Sequence, residues 1–292
     1  MIWILYACTT ALCESIKDVL GKRSLLHLNE YLVSWSLWIV AFLIFGSIIL
    51  LTGIPHLGEP YWTALLIGGP LNILATIFYM KAIKHTDLSL TVPLVTFTPL
   101  FLLITSPLIV GELPDLSGLL GVLLIVLGSY LLQINTRRQG ILAPFKSLLK
   151  QQGPRYMLLV AFIWSISASI DKIGVQSSTP IFWVFSVSTM VTILLIPFLL
   201  IQKKHQQTPT TPTSSWSTIK ILMPIGIVYA IVLYTQMTAI SLSLVSYVIS
   251  IKRMSVIFSV VWGALIFKET GIKERLIGVI IMIAGVLCIT LI

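Results

Sequence analysis

Two adjacent basic residues, Lys252 and Arg253, lie near the middle of an apolar stretch that runs from 242 to 267. The stretch is long enough to cross a bilayer, which takes about 20 mostly apolar residues. A charged side chain at the bilayer centre costs about 2.5–3.5 kcal/mol on insertion scales, so the pair needs water, an internal partner or an anionic ligand beside it. We interpret it as a site that holds an anion through the forked guanidinium and the ammonium. The alternative is an internal salt bridge that fixes helix packing.

Carboxylates inside apolar segments form the second candidate group. Glu14 shares one face of the first segment with Lys17 and Asp18, which follow it by three and four residues. This set is either a self-neutralising cluster near the membrane interface or a site where Glu14 binds a proton or a substrate amine. Asp171 and Lys172 lie near the predicted end of the sixth segment, where we expect interfacial anchoring. Asp171 is also kept as a second candidate for coupling.

Neutral polar side chains in other segments complete the predicted substrate site. The fourth segment contains three prolines, and the third contains a Gly-Gly-Pro run, so both helices are expected to bend or break. Broken helices at equivalent places in two halves often line the central cavity of a transporter. We predict that the following residues bind substrate together with Lys252 and Arg253: Asn72, Tyr79, Thr96, Tyr234 and Gln236.

No pattern in the sequence indicates an enzyme. There is no phosphate-cradling loop and no histidine or cysteine spacing typical of a metal site, so we expect no catalytic residues, no cofactor and no metal. Cys8, Cys13 and Cys288 all fall in apolar segments, and they imply no disulfide framework.

The composition indicates a polytopic membrane protein. Hydrophobic residues make up 57% of the 292 residues and charged residues only 10%, whereas a soluble domain has about 25% charged residues. The net charge of +9 is carried mainly between apolar segments. We therefore expect the basic residues to meet lipid head groups, and we expect no nucleic-acid partner.

Ten segments are long enough to span a bilayer, which predicts an all-α fold of ten transmembrane helices. Their approximate limits are 2–20, 31–52, 61–80, 88–110, 116–134, 156–174, 180–201, 219–239, 242–267 and 275–291. Several connections between them are very short, so successive helices should be antiparallel neighbours.

An internal repeat becomes visible when the chain is compared with itself at an offset of 157 residues. Without a gap, Glu112 meets Glu269, Gly121 meets Gly278, and ten further identities from Met80 to Gly128 follow the same register. The same offset places Glu14 on Asp171 and the basic pair on Val95 and Thr96. Each half has five helices, and an odd number forces the halves into opposite membrane orientations. The predicted domains are residues 1–134 and 156–292, joined by a linker at 135–155.

Basic residues between the segments predict the orientation. The loops after helices 1, 3, 5, 7 and 9 contain nearly all of the lysines and arginines, so this side should be cytoplasmic and both termini should lie on the other side. The linker 135–155 is either a helix that lies on the cytoplasmic interface or an ordinary surface connection. We expect a multi-pass protein of a prokaryotic plasma (inner) membrane, and the sequence leaves monomer and homodimer open.

The two five-helix repeats, each with a glutamate turn before a glycine-bearing last helix, resemble the drug/metabolite transporter superfamily of the EamA type. The turns are Gly111-Glu112 and Lys268-Glu269, and the segment from Trp164 to Lys172 is similar to the start of the family's repeat. The resemblance implies a ten-helix basket with a central cavity for small metabolites. A Lys-Arg pair in the ninth helix also resembles the phosphate-binding pair of triose-phosphate translocators.

Three hypotheses follow for the function. The first is a secondary transporter of a small polar metabolite whose anionic group is held by Lys252 and Arg253. The second is a proton-coupled exporter of cationic drugs or amino acids that uses Glu14. The third is a membrane scaffold without transport activity.

Overall fold

The computed structural model describes residues 1–25, 28, 30–85, 94–133, 151–205, 215–258, 261–262 and 272–290. Within these ranges the chain forms ten α-helices and no strand. The helices are α1 (Ile2–Leu25), α2 (Glu30–Thr52), α3 (Pro60–His85), α4 (Thr98–Ile109), α5 (Leu116–Gln133), α6 (Gln152–Gln176), α7 (Pro180–His205), α8 (Ser215–Leu242), α9 (Val245–Lys252) and α10 (Ile272–Thr290). The prediction of an all-α fold is confirmed. Of the predicted linker 135–155, residues 135–150 lie outside the described residues, and residues 152–155 belong to the start of α6.

Five of these helices contain apolar stretches long enough to cross a bilayer, namely α2, α3, α6, α7 and α8. Helices α4, α5 and α10 contain shorter apolar stretches. Large apolar side chains on many helices are exposed, as expected where lipid is the solvent. The count of ten spans stays a prediction.

The helix contacts are symmetric between the two halves. The contact of α3 with α6 corresponds to that of α8 with α1, and the contact of α4 with α6 corresponds to that of α9 with α1. Exchanging α1–α5 for α6–α10 converts the first contact of each pair into the second. The mates α2 and α7 also contact each other, and there the indole of Trp35 donates a hydrogen bond to the carbonyl of its own repeat mate, Thr192, at 3.2 Å. A residue that contacts its mate lies close to a two-fold axis.

Glycines show that the halves are inverted. A Cβ built on Gly121 of α5 would lie 2.6 Å from the carbonyl oxygen of Gly285 in α10, and one on Gly128 would lie 2.6 Å from that of Gly278. From Gly121 to Gly128 the residue number rises along α5, while that of the contacting glycine in α10 falls, so these two repeat mates run antiparallel. Only glycine permits backbones to approach this closely. The amide of Gly58, in the loop after α2, donates a 2.8 Å hydrogen bond to the carbonyl of Ser177, which follows α6. These two loops therefore lie at the same end of the molecule.

Two helices are broken at matching positions. The helical backbone around α4 is interrupted at Thr96 and Phe97, and that around α9 is interrupted at Arg253 and Met254, one repeat offset later. Near both breaks the amides bond carbonyls three residues back, as in a 3₁₀ turn. Pro99 contributes to the first break because it lacks an amide hydrogen.

The predicted ninth helix over 242–267 is therefore interrupted: helical backbone resumes at residue 255 after the break, and residues 263–267 lie outside the described part of the chain. Residues 242 and 245 belong to different helices, and the helix that starts at Val245 ends at the basic pair. An apolar run alone does not reveal such a break, because the run from 242 to 267 contains no proline to interrupt it.

Candidate functional site

A cavity of about 310 Å³ lies between the two halves and is lined by side chains of α1–α4 and α6–α9. This volume is in the range of small-molecule sites. Helices α5 and α10, in their described parts, contribute none of its lining and instead pair through their glycines. The broken ends of α4 and α9 both reach the cavity, through Thr98 and through Lys252 and Arg253.

Arg253 enters the cavity from the break after α9. Its Nη2 donates a hydrogen bond to Thr98 Oγ1 at 2.9 Å, and its buried Nε has no hydrogen-bond partner. Within the described residues, no carboxylate oxygen lies within 4.0 Å of the guanidinium. The alternative in which Arg253 serves an internal salt bridge is therefore not supported by these contacts.

Lys252 contacts two polar side chains that line the same cavity. Its Nζ donates a 2.7 Å hydrogen bond to Gln236 Oε1 in α8, and it lies 3.7 Å from Glu14 Oε1. Adjacent residues on a helix point about 100° apart, but the break at Arg253 lets both basic side chains line one cavity.

Glu14 belongs to a cluster of charges on α1. Lys17 Nζ lies 2.8 Å from Glu14 Oε1 and 3.2 Å from Asp18 Oδ1, which confirms the predicted pairing along one helix face. The same ammonium lies 5.9 Å from the centre of the Tyr229 ring, so it also makes a cation–π contact. Glu14 Oε2 is buried and has no hydrogen-bond partner.

Asp171 lines the same cavity from α6. Its Oδ1 accepts a 2.9 Å hydrogen bond from the indole nitrogen of Trp183 in α7. Gly174 makes this possible, because any Cβ there would overlap the Trp183 ring. The predicted role of Asp171 and Lys172 as interfacial anchors is wrong: their exposed fractions are 6% and 4%, and α6 continues to Gln176.

Most of the other predicted site residues also line the cavity. Asn72 and Tyr79 do so from α3, and Gln236 from α8. The Asn72 amide donates hydrogen bonds to Ser167 Oγ and to the Gly68 carbonyl, each at 3.0 Å. Thr96 and Tyr234 are not among the lining residues. Thr96 is buried at the break in α4, and Tyr234 packs on Phe45 and Tyr6.

Aromatic side chains form much of the remaining wall, and most of them are not among the site residues predicted from the sequence. The Trp38 and Tyr229 rings meet edge to face with centroids 5.3 Å apart, and Tyr79 lies 5.8 Å from Trp164. Trp183 is the fifth aromatic residue in the lining. Tryptophan and tyrosine are common in membrane segments, so residue type alone carries no signal for a cavity.

A second ionic contact joins the two halves at one end of the molecule. Lys172 Nζ lies 2.9 Å from Glu112 Oε1, and it donates hydrogen bonds to the carbonyls of Ile240 and Ser243, near the C-terminus of α8, at 2.7 and 2.8 Å. Glu112 Oε2 accepts the Val245 amide at the start of α9, at 3.0 Å. We call these five residues the lysine latch. It joins α6, the α4–α5 loop and the α8–α9 connection.

A neighbouring contact supports the lysine latch. Asp115, just before α5, accepts hydrogen bonds from the Tyr247 hydroxyl at 2.7 Å and from the Gly118 amide at 3.1 Å. Hydrogen bonds from Ser117 and Tyr247 hold the pKa of the Asp115 carboxyl below its usual value. Gly118 leaves room for the Tyr247 ring, which a larger residue would overlap.

The described residues contain no group of three histidine, cysteine, aspartate or glutamate side chains that could hold a metal ion. The three cysteines are free thiols.

Comparison with known proteins agrees with this architecture. The model of the EamA-like transporter family matches residues 1–134 and 152–291, one match for each half. The chain is 22% identical over 294 residues to a protein of Archaeoglobus fulgidus described as an uncharacterized transporter, and the match covers 100% of this chain and 99% of that one. A solved crystal structure superposes with a TM-score of 0.76 at 16% identity, over 99% of this chain and 96% of the other.

The chain belongs to the EamA-like transporter family. Its fold is that of a two-repeat, integral, multi-pass membrane transporter, in accordance with the resemblance to the drug/metabolite transporter superfamily. The family points to transport rather than to catalysis.

Proposed function

We propose that this protein is a secondary transporter of a small anionic metabolite in a prokaryotic plasma membrane. The observation that carries the proposal is Arg253: a guanidinium at the break of a membrane helix, in the wall of the cavity, with a buried Nε that has no hydrogen-bond partner. A buried charge is costly unless it is paired. A carboxylate or phosphate group of the substrate would supply the partner, and Lys252 beside it would add a second positive charge.

The surroundings of Glu14 favour an anionic over a cationic substrate. Glu14 lies within 4 Å of two ammonium groups, those of Lys17 and Lys252, so its negative charge is already balanced. A cationic drug would have to displace one of these lysines before it could reach the carboxylate. The second hypothesis, a cation exporter that uses Glu14, is therefore less well supported.

We further propose that transport proceeds by alternating access around this cavity. The two halves are related by an inverted repeat, and the helices that break at matching positions are the repeat mates α4 and α9. The lysine latch would hold the halves together at the end that contains the loops after α4 and α8. By the distribution of basic loops, this end would be the non-cytoplasmic one.

Counterflow in proteoliposomes tests the proposal. Vesicles are loaded with unlabelled benzoate, inorganic phosphate or one of a set of small dicarboxylates, and entry of the same labelled anion is followed. We expect counterflow by the wild type with at least one probe. Arg253→Ala should lower it about tenfold or more, because a hydrogen bond to a charged group contributes about 1.5–3 kcal/mol. Counterflow by Arg253→Lys should lie between that of the wild type and that of Arg253→Ala, since lysine keeps the charge but lacks the forked guanidinium.

Arg23→Ala is the matched control, because this arginine is an exposed residue near the end of α1, away from the cavity lining. Its counterflow should equal that of the wild type. Normal transport by both Lys252→Ala and Arg253→Ala would refute the assignment of the anion site. Counterflow of tetraphenylphosphonium, and of none of the anions, would instead support the cation exporter.

A further inference from the structure

Two carboxylates from equivalent positions of the two halves line the same cavity in different surroundings. Glu14 and Asp171 are repeat mates, and they line the cavity from α1 and α6. Two ammonium groups lie within 4 Å of Glu14. In the described part of the chain, no lysine or arginine nitrogen lies within 4.0 Å of Asp171.

The difference decides which carboxylate can exchange a proton. Asp171 is 6% exposed, and its hydrogen-bond donor is the neutral indole of Trp183. A buried carboxylate without a cationic partner is costly in its ionised form, and binding a proton removes that cost. Glu14, in contrast, would lose two ion pairs on binding a proton. The repeat has thus produced one fixed charge and one carboxyl group suited to reversible protonation.

The groups that face Asp171 come from several helices. Among the elements packed on α6, α7 contributes Trp183, α9 contributes Lys252, and α3 and α8 contribute the cavity-lining hydroxyls of Tyr79 and Tyr229. Helix α4 contributes Thr98, which is neutral, and the charges of α1 and Arg253 line the same cavity. Lys252 also lines this cavity, beyond ion-pair distance of Asp171.

We propose that Asp171 binds a proton together with the anionic substrate, so that the two cross the membrane together. Without its proton, Asp171 is a negative charge that competes with the substrate for Lys252. With the proton, this competing charge is gone; Lys252 then has Glu14 as its carboxylate neighbour, and Arg253 has no carboxylate within 4.0 Å among the described residues. Each ligand therefore favours the binding of the other, as linkage requires. One proton from water binds a carboxylate oxygen of Asp171 on one side and returns to water on the other, and with a monoanion the cycle moves no net charge.

The cotransport rests on the proposed function, whereas proton binding by Asp171 does not, and the experiment has one arm for each. In the first arm, infrared difference spectra of the protein in nanodiscs are recorded between about pH 5.5 and about pH 8.5, with no anion present. We expect a protonated-carboxyl band that appears as the pH falls and is absent from Asp171→Asn. Persistence of the whole band in Asp171→Asn, or its absence from the wild type, overturns the proposal.

In the second arm, binding of benzoate is followed over the same pH range by quenching of tryptophan fluorescence, since Trp38, Trp164 and Trp183 line the cavity. Benzoate stays ionised throughout this range. Its affinity for the wild type should rise about fivefold or more as the pH falls, the usual size of such a coupling. Asp171→Asn, which can still accept the Trp183 hydrogen bond, should bind with an affinity that does not change with pH.

Two further variants separate titration from a structural role. Asp171→Glu should restore the pH dependence, because the group that titrates is restored. Glu14→Gln should change the affinity but keep the dependence on pH, and loss of the dependence in this variant, with its retention in Asp171→Asn, overturns the proposal. Binding of benzoate to the wild type with no pH dependence also overturns the coupling. If no anion binds at all, the proposed function fails, and the infrared arm still decides whether Asp171 takes up a proton.

Discussion

The lysine latch gives a prediction whose size follows from its contacts. In Lys172→Met the side chain keeps most of its length and loses its charge. Glu112 Oε1 then loses a partner at 2.9 Å, and the carbonyls of Ile240 and Ser243 lose hydrogen bonds at 2.7 and 2.8 Å. Removing one partner of a buried ion pair costs about 3–5 kcal/mol. Because the Glu112 side chain is 15% exposed and keeps its bond to the Val245 amide, we expect the lower end, about 3 kcal/mol.

Unfolding in mixed detergent micelles, with increasing dodecyl sulfate, measures this loss. A double-mutant cycle with Glu112→Gln separates the ion pair from the two carbonyl bonds, and its coupling energy should be about 1–3 kcal/mol. Lys81→Met, a change at an exposed lysine of α3, is the control and should stay within about 0.5 kcal/mol of the wild type. A similarly small effect for Lys172→Met would refute the argument that the latch holds three segments together.

Three further outcomes are expected. Gly121→Ala should destabilise the protein by about 1–3 kcal/mol, because its Cβ would lie 2.6 Å from the Gly285 carbonyl oxygen. The control, Leu120→Ala on the exposed side of α5, should destabilise it less. Equal losses of stability in dodecyl sulfate unfolding would contradict the close crossing of α5 and α10. Thr98→Val should raise the KM for a transported anion about tenfold with little change in the maximal rate, because it removes a hydrogen bond that orients Arg253. An unchanged KM would show that Thr98 does not position Arg253. A cysteine placed at the N-terminus of a cysteine-free variant should react with an impermeant thiol reagent added outside intact cells. A cysteine that replaces Lys81 in the same variant should not react. The reverse pattern would contradict the predicted orientation.

The repeat and the identity of the cavity helices could be predicted from the sequence because they rest on residue types that are unusual in membrane segments. Charges such as Glu14 and Lys252 are costly there, so their presence alone indicates a polar interior. The glycines of α5 and α10 aligned at the repeat offset, and they meet across the symmetry axis. Each of these signals is local or periodic, which is what a single sequence can reveal.

Other parts of the site depend on contacts between distant residues and leave no local signal. The sequence placed Asp171 and Lys172 at a helix end and could not show that Trp183 and Glu112 lie beside them. The break at Arg253 has no proline to mark it, unlike the one beside Pro99. The aromatic wall was missed for the same reason, since the partners of Tyr229 and Trp164 are on other helices.

The glycine crossing of α5 and α10 has a consequence for synthesis of the chain. Helix α5 is made well before the glycine face of α10 that fits it. During translation, Gly121 and Gly128 must therefore remain covered by lipid or by other protein surface until α10 enters the membrane. Assembly of the two halves thus waits for α10, and a chain without α10 would leave an unpaired glycine groove on α5.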